Sequence, residues 1–163
     1  MKLIMVIKTD MRIFLKNFCI FCVGFTIYQC IEGIWKTFVH SNGVESFTMG
    51  LIGGTALLLI GLLNKYFKWT QPIWLQVILG GLFIICAEFL TGLIINKWLF
   101  PLLNKPVVWD YSDMPGNILG QICPQYSAIW LILSLVCILI DDYLRYKLYN
   151  EEKPHYAWWF NNK

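Results

Sequence analysis

The 163-residue sequence has few charged residues and only two histidines. Charged residues make up 14% and hydrophobic residues 58% of the chain, whereas a water-soluble domain carries about 25% charge and about 45–50% apolar residues. The net charge of +3 is too small for a polyanion-binding surface. The composition therefore excludes a nucleic-acid-binding module, a disordered chain and an ordinary cytosolic enzyme. It predicts a protein whose main partner is the lipid bilayer.

Recognised catalytic motifs are also missing from the sequence. There is no phosphate-binding glycine loop, no serine nucleophile elbow and no H-E-x-x-H. His40 and His155 have no second metal ligand near them, and the Cys19–Cys22 pair lies in an apolar run, where cysteine acts as a small hydrophobe. We therefore predict no cofactor, no metal and no catalytic residue, and leave enzymatic activity open. If the protein works in ATP-driven transport, the ATPase is a separate polypeptide.

Four apolar segments are long enough to span a bilayer, which takes about 20 residues. They show no sustained alternation typical of a β-barrel, so they are predicted to be helices. We expect an all-α, polytopic membrane helical bundle that forms one transmembrane domain over residues 1–163. The predicted spans are residues 13–35, 47–66, 73–100 and 118–140.

The distribution of Lys and Arg predicts the orientation of the bundle. The side that would carry both chain ends holds ten of these residues, and the other side holds three, Lys36, Lys97 and Lys105. By the positive-inside rule, this bias predicts a multi-pass cell-membrane protein with cytoplasmic N- and C-termini. The first span follows a short basic start and is predicted to be a retained signal anchor.

Residues 141–163 mix charges with Tyr and Trp and are predicted to form an interfacial cytoplasmic tail. The tail is interpreted as a membrane anchor, with a partner-docking helix as the alternative. Gly50 and Gly54 form a G-x-x-x-G motif in span two. Such small residues favour close helix packing, either within the bundle or in a homo-oligomer.

Polar residues recur in the outer halves of three spans. Glu32 lies near the outer end of span one, and Glu88 lies roughly 13 Å below Lys97 in span three. Asn117, Gln121 and Gln125 recur every four residues and predict one polar stripe on span four.

Pro124 falls within this stripe and is expected to kink the helix of span four. The inner halves of the spans look nearly all apolar. The pattern predicts an outward-facing polar pocket, or alternatively polar side chains that only hold helices together.

The outer loop before span four adds further candidates, because Asp110 lacks an adjacent helix to cap. If Asp110 faces the same pocket as Glu32 and Glu88, three acids converge. A site of that kind would prefer a cation, an amine or a role in proton transfer. The predicted substrate-binding residues are Glu32, Glu88, Trp109, Asp110, Tyr111, Ser112, Asn117, Gln121 and Gln125.

Several sequence blocks occur together in one order: Glu88-Phe-Leu-Thr-Gly92, Val108-Trp-Asp-Tyr-Ser112, Pro115-Gly-Asn117 and Gly120-Gln-Ile-Cys123. In these blocks the chain resembles the small bacterial membrane proteins of the ABC-transporter type IV (CmpB-like) family. The strongest match covers about residues 72–131. The resemblance implies a permease and supplies no catalytic residue.

Three functions remain open at this point. The first is a permease-like or accessory subunit of a transport system, which predicts an oligomer with partner subunits, such as a separate ATPase or membrane subunit, and allows a homo-oligomer within that complex. The second is a membrane-embedded protein that binds or processes an envelope lipid or its headgroup from the outer leaflet. The third is a structural membrane partner whose polar residues hold helices together.

Overall fold

The computed structural model describes residues 2–39, 46–63, 66–67, 71–99 and 108–159, with side chains of the first helix from residue 9 to 34. Within these ranges the chain forms four α-helices and no strand, as the sequence predicts. They are α1 (Lys2–Val39), α2 (Ser46–Leu63), α3 (Ile73–Gly92) and α4 (Pro124–Tyr149). His40, Lys105 and the predicted end of span three at residue 100 lie outside the described residues.

Three of the described helices are long and apolar enough to cross a membrane. These segments are Thr9–Ile34 of α1, Ile73–Leu99 and Pro124–Tyr149. The fourth helix, α2, is a shorter apolar helix described over 18 residues, and Tyr66, the predicted end of span two, lies in a turn. At 1.5 Å per residue α2 is about 27 Å long, close to the thickness of a hydrocarbon core of about 30 Å.

The glycines of α2 pack against α1. An added Cβ at Gly53 would meet the Cβ of Tyr28, and one at Gly54 would meet the ring of Phe21. Gly50 faces Phe25 in the same way. The G-x-x-x-G motif is therefore a packing face within the bundle, because removal of side chains lets the two backbones approach closely.

Helix α3 continues into a π-helical segment, Leu93–Leu99. Its buried face carries Glu88, Gly92 and Asn96 at intervals of four residues. A π-helical turn is wider than an α-helical turn, and such turns often occur at functional sites. Here it keeps Asn96 on the same face of the helix as Glu88.

Helix α4 begins at Pro124, six residues later than predicted. Proline at the first helical position has no unsatisfied N–H and suits the helical φ angle, so it starts the helix instead of kinking it. Asn117 and Gln121 consequently lie in the preceding loop, and the predicted polar stripe on span four is wrong. Only Gln125 lies in α4, as its second residue.

The end of α4 also differs from the prediction. The helix runs through Asp141 to Tyr149, and Asn150 ends it in a left-handed conformation with φ 54°. Residues 151–156 have no regular structure, and the chain folds back so that the Ile73 N–H donates to the Ala157 carbonyl at 2.9 Å. Residues 141–149 are therefore part of the bundle, and only the segment after Asn150 is a tail.

Candidate functional site

The carboxyl group of Glu88 lies at the centre of the candidate site. Glu88 is fully buried on α3. The Tyr111 hydroxyl donates to Glu88 Oε1 at 2.9 Å, and Trp130 Nε1 donates to Oε2 at 2.7 Å. Both described donors are neutral, and they come from two other elements, the outer loop and α4. Glu88 thus joins three parts of the bundle.

Aromatic rings surround this carboxyl group. Tyr28 of α1 stacks on Trp130 with ring centroids 5.5 Å apart, and Tyr111 stacks on Tyr126 at 4.7 Å. Glu32 lies one turn beyond Tyr28 on α1 and is half-buried, so the two share a face of the helix. Side-chain contacts therefore link Tyr28 of α1 to Trp130, and Trp130 to Glu88.

Burial raises the pKa of the Tyr111 phenol above its ordinary value. The neighbouring Glu88 carboxylate raises this pKa further, because a phenolate beside it would add a second negative charge. Tyr111 therefore stays protonated and remains a hydrogen-bond donor.

Asn96 fixes the outer loop above Glu88. Its Nδ2 donates to the Trp109 carbonyl at 2.8 Å and to Gln121 Oε1 at 3.0 Å, while its Oδ1 accepts from the Val108 N–H at 3.2 Å. Trp109 Nε1 donates to the Gln121 carbonyl at 2.8 Å. Trp109 and Gln121 therefore hold the loop closed over the bundle.

Asn117 organises the tip of the loop. Its Nδ2 donates to the carbonyls of Ser112 and Met114, and its Oδ1 accepts from the Gly120 N–H at 2.9 Å. Gly120 has φ 71°, which favours glycine, and an added Cβ there would also meet Ser112 Oγ. These contacts give Asn117 a structural role in the loop.

The three acids do not converge. Asp110 is exposed, and its Oδ1 accepts hydrogen bonds from the backbone N–H and the hydroxyl of Ser112 at 3.0 and 2.6 Å. Ser112 and Gln125 are exposed as well. A carboxylate that accepts hydrogen bonds within its own exposed turn also stays hydrated. Burial of Asp110 in the core would remove that hydration at a cost in free energy.

Residues of the site that the sequence analysis did not single out are Tyr28, Asn96, Tyr126 and Trp130. Asn96 lies in an apolar run eight residues after Glu88. A polar side chain within a span is costly and therefore worth notice. The aromatic residues gave no such signal, since a buried ring in a span is ordinary core.

A second polar cluster contradicts the expectation of apolar inner halves. We call it the inner polar cluster; it lies beside the first turn of α3 and along α4 from its middle toward its end, on the side of the chain termini. Its members are buried, and they are Gln76, Ser134, Asp141, Asp142 and Arg145. The sequence placed the last three in an interfacial tail, because charges at the end of a span usually lie at the membrane surface.

Glycines make room for the inner polar cluster. An added Cβ at Gly61 of α2 would collide with the Asp141 carboxylate, and one at Gly80 of α3 with Ser134 Oγ. Among the described residues, Gln76 Oε1, Ser134 Oγ, Asp141 Oδ1 and Arg145 Nη2 are buried and lack a hydrogen-bond partner. An unsatisfied buried polar group costs about 1–3 kcal/mol. This end of the bundle therefore carries buried polar groups at a cost in stability, where the sequence predicts an apolar inner half.

Ion pairs tie this cluster to α1. Arg145 Nε donates to Asp141 Oδ2 at 2.5 Å, and Arg145 Nη1 lies 3.9 Å from Glu151 Oε1. Lys16 of α1 pairs with the same Glu151 oxygen at 2.5 Å. The alternating charges therefore connect α4, the tail and α1 at one end of the bundle.

The tail adds a further contact to the inner polar cluster. The Tyr156 hydroxyl donates to Asp142 Oδ2 at 2.8 Å. Burial raises the pKa of this phenol, and the hydrogen bond to Asp142 raises it further. Tyr156 consequently remains a donor and holds the tail against α4.

Comparison with known proteins identifies the family of the chain. The model of the family described as Putative ABC-transporter type IV matches residues 17–161, nearly the whole chain. The chain belongs to this family. No solved structure matches it. The family and the apolar helices together establish a membrane protein of a transport-related family.

Proposed function

We propose that this protein is a membrane subunit, permease-like or accessory, of a solute transport system, and that Glu88 binds a cationic or amine-bearing group of the solute. The family and the apolar helices support a transport-related role. The observation that carries the proposal further is the buried Glu88 carboxyl with its two neutral donors.

The energetics favour a binding group over a purely structural one. An acidic residue near the centre of a membrane helix costs about 2.5–3.5 kcal/mol on insertion scales. A polar contact between membrane helices contributes on average about 0.6 kcal/mol. Two such contacts do not offset the cost of placing Glu88 in the span. Glutamine or serine would hold the helices together at lower cost, which supports a role for the charge.

The aromatic residues support a cationic ligand. The two donors to Glu88, Tyr111 and Trp130, each stack on a second ring, Tyr126 and Tyr28, so four aromatic rings lie around the carboxyl. Ring faces attract cations, at about 0.5–2 kcal/mol per contact. An ammonium group that replaces the Tyr111 hydroxyl would keep Glu88 Oε1 hydrogen-bonded and neutralise its charge.

The loop containing Tyr111 would act as the cover of this site. Its closure depends on Asn96, Trp109 and Gln121, whose contacts lie outside the Glu88 carboxyl. Release of the Tyr111 hydroxyl from Glu88 would therefore expose the carboxyl to a ligand, while Asn96 still holds the loop near the bundle. Trp130 would remain as the second donor to Glu88.

The other half of the transport system would be a separate polypeptide. The sequence carries no nucleotide-binding motif, so ATP hydrolysis would come from a partner. We place that partner on the side of both chain termini, which the positive-inside rule predicts to be cytoplasmic.

Ligand-induced stabilisation tests the role of Glu88. We would reconstitute the protein in nanodiscs and measure thermal unfolding with choline, spermidine or lysine, with succinate as the anionic and sucrose as the neutral comparison, since neither carries an amine. A ligand present at 100 times its dissociation constant stabilises the folded state by about 2.7 kcal/mol. We expect at least one amine to raise the melting temperature, and Glu88→Gln to abolish the increase.

A matched variant separates the site from general charge effects. Glu152→Gln removes an exposed acid outside the site and should leave the amine effect intact. If Glu88→Gln and the unmodified protein respond equally to every amine, Glu88 is not the binding group and the proposal fails.

A further inference from the structure

The chain after α4 crosses the end of the bundle next to the inner polar cluster. We call residues 150–159 of the tail the strap. Residues 151–156 have no regular structure, and most side chains of the strap are exposed. The strap nevertheless returns to the bundle, because the Ala157 carbonyl accepts a hydrogen bond from the Ile73 N–H at 2.9 Å. It therefore reaches from the end of α4 to the beginning of α3.

The side-chain contacts that hold the strap in place are few. The Tyr156 hydroxyl donates to Asp142 Oδ2 at 2.8 Å. Glu151 Oε1 pairs with Lys16 of α1 at 2.5 Å and lies 3.9 Å from Arg145 Nη1. The Glu151 side chain is 39% exposed, and ion pairs in contact with water contribute little to stability. A segment with little regular hydrogen bonding and little apolar burial lies at the low end of local stability, so the strap can open without unfolding the bundle.

The polar groups next to these contacts have hydrogen-bonding capacity that the described residues do not use. Gln76 lies one turn after Ile73 on the buried face of α3, and no described group bonds its Oε1. Asp141 Oδ1 and Arg145 Nη2 are also buried and unpartnered within the described chain, although the two residues pair through other atoms. An unsatisfied buried polar group costs free energy, and hydration would remove that cost. The closed strap therefore keeps water away from groups that water would stabilise.

We propose that the strap is a gate that controls the access of water to the inner polar cluster from the side of the chain termini. In the closed state Tyr156 and the ion pairs of the strap hold it against the bundle. In the open state these contacts break, and water reaches Gln76 and Asp141. The weak closing contacts and the unsatisfied buried groups oppose each other, so the two states lie close in free energy. The gate concerns the inner end of the bundle and does not depend on solute binding at Glu88.

A thiol placed next to the strap measures this access. The protein would carry Gln76→Cys in nanodiscs, where both membrane faces meet the solution, and would be treated with a membrane-impermeant maleimide. The reaction needs a hydrated thiolate, and mass spectrometry distinguishes position 76 from the native cysteines. Tyr156→Phe removes the donor to Asp142 and should raise the rate of modification about tenfold, which corresponds to about 1.4 kcal/mol. Tyr143→Phe removes an exposed hydroxyl of α4 and should leave the rate unchanged.

Hydrogen exchange at the Ile73 amide reports release of the strap separately, because this N–H donates to Ala157 of the strap. We expect Tyr156→Phe to accelerate Ile73 exchange and modification at position 76 by the same factor. Faster exchange without faster modification would show that the strap moves without gating the cluster, and would overturn the proposal. Equal modification rates in Tyr156→Phe and Tyr143→Phe would overturn it as well.

Two substitute variants keep the test decisive if a first variant does not fold. Ile73→Cys places the thiol at a position that is 3% exposed, directly where the strap meets α3. Glu151→Gln weakens the strap through its ion pairs and should raise the modification rate in the same direction as Tyr156→Phe. A thiol in a folded variant that reacts equally fast with and without either change to the strap would contradict a gate.

Discussion

Replacement of Tyr111 by phenylalanine isolates the hydrogen bond from the outer loop to Glu88, which holds the loop over the bundle together with the contacts of Asn96, Trp109 and Gln121. The substitution removes one hydroxyl and preserves the ring that stacks on Tyr126. Glu88 Oε1 then loses its described donor inside a fully buried site. An unsatisfied buried acceptor of this type costs about 1–3 kcal/mol, so we expect Tyr111→Phe to destabilise the closed loop by that amount.

Hydrogen exchange of the loop amides measures this loss. A change of about 1–3 kcal/mol corresponds to a factor of about 5–150 in the open population, since about 1.4 kcal/mol is tenfold. Amides of residues 108–122 should therefore exchange about 5–150 times faster in Tyr111→Phe than in the unmodified protein. Ser112→Ala removes an exposed hydrogen bond of the same loop and should change exchange far less, since surface substitutions usually stay within about 0.5 kcal/mol.

A double-mutant cycle with Glu88→Gln completes the test. Glutamine can still accept from Trp130 and donate to the Tyr111 oxygen, so Glu88→Gln alone should leave most of the loop protected. Tyr111→Phe and Glu88→Gln should show a coupling energy of about 0.5–3 kcal/mol, as expected for residues in contact. Equal exchange in Tyr111→Phe and Ser112→Ala, or a coupling near zero, would refute the assignment of this bond as one of the contacts that hold the loop over Glu88.

Two further substitutions test the packing of the bundle, each by unfolding in mixed micelles. Gly53→Ala places a Cβ 2.5 Å from that of Tyr28 and should cost about 1–3 kcal/mol, whereas Gly33→Ala meets nothing within 4 Å and should be neutral or stabilising. Arg145→Ala leaves the buried Asp141 without its ion-pair partner and should cost about 3–5 kcal/mol, against about 0–1 kcal/mol for Lys16→Ala, whose pair is partly exposed. If Gly53→Ala and Gly33→Ala lose the same amount of stability, or if Arg145→Ala and Lys16→Ala do, the assigned contacts are contradicted.

The helices and the central carboxyl could be predicted from the sequence because both depend on local, one-dimensional patterns. Apolar length predicts a span wherever it occurs. An acid such as Glu88 inside a span is costly, so it marks a polar site without any knowledge of its neighbours. The donors to Glu88 could not be predicted, because Trp130 is 42 residues away and looks like ordinary core.

The errors at α4 have a common cause. Asn117, Gln121 and Gln125 repeat every four residues, which is the helical interval, but Asn117 and Gln121 lie in tight turns of the loop and only Gln125 lies in α4. Pro124 fits both a kink and a first helical position, and only the tertiary contacts of the loop decide between them. The burial of Asp141 likewise depends on Gly61 of another helix, which the charge pattern of one segment does not reveal.

The association state of the protein tests the proposed transport function most directly. Native mass spectrometry of the gently solubilised protein, expressed in its own host, measures that state without knowledge of the solute. A transport subunit should be recovered in a complex of fixed composition with a polypeptide that hydrolyses ATP or with a second membrane subunit. Recovery only as a monomer or homo-oligomer, from cells in which the protein is functional, would contradict the proposed role.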